Sequence, residues 1–108
     1  MIRVYFCRGK EYIPLEEDLV TSLQEDEFID MASVFKALSN RAGQYSNFSI
    51  EQEFFLNQES LESLIGALNN LMDFEKAENK RLAMEKLNKI ARRAIKNSSG
   101  LGFFPSRS

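Results

Sequence analysis

Seven carboxylates stand within fifteen residues, Glu16, Glu17, Asp18, Glu25, Asp26, Glu27 and Asp30, with no lysine or arginine among them. Carboxylates so concentrated can hold a cation, exchange protons with a substrate, or set up a negative field that steers a basic partner. Cation binding of the calcium-loop kind needs aspartates at alternate positions, a central glycine and a terminal glutamate. The run has none of that spacing, so no metal is assigned to it. Acid–base work needs two carboxyl groups in contrasting environments. The nearest other pair, Glu51 and Glu53, has no evident pocket and no contrasting neighbour. Steering a basic protein is therefore the chemistry these seven residues suit best, and they are the expected partner-binding set.

A second charged pattern has the opposite sign. Lys86, Lys89, Arg93 and Lys96 step by three, four and three, which aligns them on one helical face, with Lys76, Lys80, Arg81 and Arg92 nearby. Such a stripe can touch phosphate and defines an alternative, a nucleic-acid-binding or regulatory domain. Against it stand a sequence pI near 5.2 and the scarcity of base-reading side chains, Asn88 being the one uncharged polar residue between Lys86 and Lys96. Nucleic acid is thus the disfavoured partner.

The chain has no histidine and one cysteine, Cys7. Histidine bases, Ser-His and Cys-His nucleophile pairs and His- or Cys-rich metal sites are therefore excluded. Neither Arg8-Gly9-Lys10 nor Ser99-Gly100-Leu101-Gly102 has the make-up of a phosphate-binding loop. No cofactor and no enzymatic activity are expected. Cys7, within an apolar stretch, reads as a small buried hydrophobe.

These groups must be positioned by a single domain spanning residues 1–108, long enough to build a core without disulfides. Residues 1–7 alternate as a strand. Pro14 with Glu16, Glu17 and Asp18 suits a helix start, and Leu15, Leu19, Val20 and Leu23 give that helix an apolar stripe. Ser22-Leu23-Gln24-Glu25 fits a capping box, and Phe28, Met31, Ala32, Phe35 and Leu38 form the next stripe. The prediction is two helices, or one bent near residues 22–26, ending before Asn40. Residues 45–56 change to period 2 and predict a strand.

The richest apolar patterns lie at 59–96. Leu61, Leu64, Ile65, Leu68, Leu71 and Met72 share one helical face, and Met84, Leu87, Ile90, Ala91, Ala94 and Ile95 share another. Asn57 is placed to cap the first of these helices and Asp73 the second, which 97–100 should end. Residues 101–104, followed by Pro105, suit an edge strand beside the first one. The predicted fold is α+β, a helix-rich domain of order β-α-α-β-α-α-β with a small sheet of about three strands. Arg3 to Phe6 with 100–104 faintly resemble the paired aromatic strands of an RNA-recognition domain. Here, however, the glycine-aromatic strand ends the chain instead of lying in its middle, so core packing is the expected role of these aromatics.

Charge is polarised along the chain: residues 1–73 carry 13 acidic and 5 basic side chains, residues 74–108 carry 3 and 9. That distribution suits an acidic face for one partner, and a homo-oligomer is compatible with it. No apolar run approaches membrane-spanning length, and the first residues lack a signal-peptide layout, which predicts a cytoplasmic protein and no membrane partner.

In its small size, acidic face, missing export signal and missing catalytic groups, the chain resembles in type the bacterial immunity proteins that neutralise colicin or contact-dependent growth-inhibition toxins. The likeness extends over the whole chain and rests on no motif. It implies a non-catalytic inhibitor whose acidic helical surface covers a basic toxin domain, a nuclease among the candidates.

Overall fold

The computed structural model describes residues 2–9, 13–42 and 53–105. Strand β1, Ile2–Cys7, is followed by a 3-10 turn at Glu16–Asp18, strand β2, Leu19–Leu23, and helix α1, Glu25–Ala42. A short strand β3, Phe54–Leu56, leads into helices α2, Gln58–Met72, and α3, Glu78–Lys96, and the chain returns as β4, Gly100–Pro105. The α+β class is as the sequence predicts, with four strands in place of three.

The sheet is antiparallel throughout, in the order β2-β1-β4-β3. The last strand thus pairs with the first, as expected, but at the centre of the sheet and not at its edge. Pro105 is tolerated there because it is the last residue of β4, opposite Ile2.

The helices cover one face of the sheet. Ile2, Val4, Leu56, Phe54, Leu101 and Phe103 point into a core that also contains Phe35 of α1, Leu61, Leu64 and Leu68 of α2, and Met84, Leu87, Ile90, Ala91 and Ala94 of α3. Phe35 meets Phe54 and Phe103 edge-on at ring separations of 5.8 and 6.3 Å, joining α1 to the far side of the sheet. Helix α3 packs against both α1 and α2. The one buried polar side chain on it, Asn88, donates to Asn69 of α2 at 3.0 Å and accepts from Arg92 Nε at 2.6 Å.

The other face carries Tyr5, Cys7, Phe55 and Phe104, so Phe103 is core and Phe104 is not. Two glycines make this packing possible. A Cβ on Gly100 would lie 2.3 Å from the Leu56 carbonyl oxygen, and one on Gly102 would lie 2.6 Å from both Cys7 Sγ and the Phe104 ring. Burial pushes the Cys7 thiol up to about 11, the charges of Asp18 and Glu53 adding to the effect, which leaves a neutral, packed sulfhydryl.

The predicted helix carrying Leu15, Leu19, Val20 and Leu23 does not form. Glu16–Asp18 makes a single 3-10 turn, in which Asp18 Oδ2 accepts the Leu15 N–H at 2.9 Å, and the next five residues pair with β1. Val4 lies opposite Thr21 and Tyr5 opposite Leu19, so a bulge at Val20 interrupts the register. The capping box predicted at Ser22 and Glu25 is not what starts α1; a single side-chain bond two residues later takes its place. The Gln24 N–H donates to Glu27 Oε1 at 3.2 Å, and one continuous helix follows, running past Asn40 to Ala42.

Asn57 caps α2 through the Ser60 N–H at 2.8 Å, as expected. Asp73 does not cap α3. It closes α2, and Ala77 precedes α3. Ser98, at φ 55, takes the left-handed conformation that turns α3 into β4. The strand predicted over 45–56 is present at 54–56, while 45–52 and the Glu51 of the carboxylate pair lie outside the described residues.

Candidate functional site

The acidic run, continuous in sequence, is divided in space by β2. Glu16, Glu17 and Asp18 lie on the turn before the strand; Glu25, Asp26, Glu27 and Asp30 lie on the first turns of α1 after it. About 17 Å of extended chain separates the two groups. The second group sits at the positive end of the α1 dipole, which stabilises negative charge there.

Three of the seven are engaged by the protein's own groups. Lys86 Nζ of α3 reaches Glu27 Oε2 at 2.5 Å, and Asn79 Nδ2 donates to Asp30 Oδ1 at 3.0 Å. Asp18 holds the 3-10 turn through Leu15. The hydrogen bond from Lys86 holds the Glu27 carboxyl below the usual carboxylate range, partial burial opposing it and the Gln24 N–H assisting. The other four, Glu16, Glu17, Glu25 and Asp26, are exposed and make no ion pair among the described residues.

The same stretch exposes apolar side chains. Among the described residues the large hydrophobic side chains left in solvent are Ile13, Leu15, Leu19, Ile29, Phe74 and Leu82, at 44 to 83% exposure; Ile13 and Leu15 immediately precede the carboxylates and Leu19 and Ile29 fall among them. Leu15 and Leu19 were expected on a buried helical stripe. In a strand, Leu19 instead shares the outward parity of its partner Tyr5, and that pairing is the signal that places it at the surface. At the start of α1, that helix and α3 leave a groove of about 340 Å³, with Asp26 and Asp30 on one wall, Leu82 and Lys86 on the other, and buried Met31 between.

The basic stripe forms on α3 as its spacing predicts, but it is partly spent inside the molecule. Lys86 is paired with Glu27, and the Arg93 guanidinium lies over the Phe6 ring at 5.8 Å. Lys89 and Lys96 are exposed. Asn88, the candidate base reader, is buried between α2 and α3 and its side chain is already bonded on both sides. Among the described residues no three acidic, cysteine or histidine side chains are grouped so as to hold a metal ion, and no helix is long and apolar enough to cross a membrane.

Comparison with known proteins gives no match: no family model, no curated protein and no solved structure is significantly similar to this chain.

Proposed function

We propose that this is a non-catalytic binding protein whose surface at residues 13–30 covers a basic protein partner, in the manner of an immunity protein or toxin inhibitor acting in the bacterial cytoplasm. One observation carries the reading: carboxylates with no ion-pair partner among the described residues and exposed large apolar side chains occupy the same stretch. A protein interface combines apolar contact area, which supplies affinity, with a charged periphery, which supplies orientation and association rate. Glu16, Glu17, Glu25 and Asp26 fill the second role and Ile13, Leu15, Leu19 and Ile29 the first. A solubilising acidic face has no use for the exposed leucines and isoleucines.

Glu27, Asp30 and Asp18 drop out of direct partner contact on this reading. They fix α1 against α3 and hold the turn. The nucleic-acid alternative is the weaker one because Lys86, Arg93 and Asn88 are all engaged within the molecule.

Co-expression with the products of the genes flanking its own tests the proposal. The expected result is stable co-purification with a basic protein. The complex should weaken as salt rises and be lost in the quadruple variant Glu16→Lys, Glu17→Lys, Glu25→Lys, Asp26→Lys. A complex indifferent to those four changes, or retention on DNA abolished by Lys89→Glu and Lys96→Glu, sinks it.

A further inference from the structure

Strand β2 is an edge strand, hydrogen-bonded to β1 on one side and, among the described residues, to no strand on the other. Natural edge strands are protected by a lysine, a proline, an inward-pointing charge, a bulge or sheer shortness, because their free main-chain groups template pairing with another chain. Leu-Val-Thr-Ser-Leu is short but contains no lysine, proline or charge. Its one irregularity is the bulge at Val20, which leaves Thr21, Ser22 and Leu23 in regular register.

The charges lie at the two ends of the strand, with Glu16 and Glu17 before it and Glu25 and Asp26 after it, all exposed. This layout discriminates between occupants. A second copy of this chain, added parallel or antiparallel, sets an acidic end against an acidic end at both termini of the new pair, and like charges there oppose it. An extended segment with lysine or arginine at both ends meets attraction at both. Leu19 and the preceding Ile13 and Leu15, all exposed, offer apolar contact beside it.

From this we infer that β2 is a docking edge: a basic-flanked, extended segment of the protein partner adds a short strand of roughly three to five residues beside Leu19–Leu23. The inference rests on the acidic-surface reading above and names the segment that surface takes. Main-chain hydrogen bonds supply the pairing, and the two carboxylate groups select for cations at both ends of the segment.

The probe is a nine-residue peptide, Lys-Lys-Thr-Val-Thr-Val-Thr-Lys-Lys, tested against the full chain beside two versions N-methylated on alternate residues, one in each phase. N-methylation removes main-chain donors while leaving charge and side chains in place. The expected result is binding of the parent peptide, weakened at least tenfold by one phase of N-methylation, with slowed amide exchange confined to residues 19–23. Equal binding of all three peptides, or protection in the α1–α3 groove only, overturns the docking edge and leaves the acidic surface standing as a charge-steered site. No binding of the parent peptide at millimolar concentration also overturns it. Self-association of the chain by sedimentation, with slowed exchange in the same strand, assigns the edge to a second copy and overturns it too.

Discussion

The acidic stretch and the basic helix are the two charged regions of this molecule, and the fold treats them differently. The cations of α3 are carried by one regular helix whose opposite face is core, and Lys86, Arg92 and Arg93 find partners in Glu27, Asn88 and Phe6. The seven carboxylates from Glu16 to Asp30 are divided between a turn and a helix start, with an uncharged strand between them. Four of them have no ion-pair partner among the described residues and lie among exposed apolar side chains. A charge run is available to a partner only where the element beneath it leaves the charges unspent. Among the described residues the N-terminal region meets that condition better than α3, which the overall charge polarity alone does not decide.

Substitutions can sharpen the contrast. The largest effect is expected at Met31, fully buried where α1 meets α3. Met31→Ala should cost about 2–5 kcal/mol in denaturant unfolding, because it removes both transferred surface and packing beneath the acidic helix. Leu19→Ala and Ile29→Ala should change stability by about 0.5 kcal/mol or less while weakening partner retention, since their side chains are exposed. A large loss of stability from either would show that these side chains serve the fold and not a partner.

A small effect is also expected at the link between the two regions. Lys86→Met should cost about 0.2–1 kcal/mol at neutral pH, the range for a partly exposed ion pair. Glu27 has a depressed folded pKa, so the contribution of the pair is fully present above the ordinary value of 4.5 and is lost as pH falls through the folded value. The stability difference between wild type and Lys86→Met should therefore close in acid. A difference that persists at low pH would mean that the lysine stem, and not the ion pair, joins α1 to α3.

The parts of the fold that were legible in the sequence are those with long periods. Leu61, Leu64 and Leu68, and Met84, Leu87, Ile90, Ala91 and Ala94, recur often enough to specify helix and buried face together, and all are buried. Asn57 was legible as a cap because the capping bond is local. Strand β2 was not. Leu15, Leu19 and Leu23 have helical spacing, Pro14 and three acids suit a helix start, and five residues are too few for period 2 to compete. Pairing with β1, a tertiary interaction, decides it. The Glu27–Lys86 pair was equally hidden, since nothing local links residues 59 positions apart. The seven-residue acidic run was therefore readable as charge but not as geometry: its division by β2, and the exposure of Leu19 among its members, follow only from the strand.

The most direct test of the central claim is residue-resolved hydrogen–deuterium exchange on the protein, free and in complex with the basic partner that the co-expression experiment is expected to recover. The account predicts new protection concentrated in residues 13–30, with the exposed face of α3 around Lys89 and Lys96 unchanged. Protection along α3 with none in residues 13–30 would contradict it.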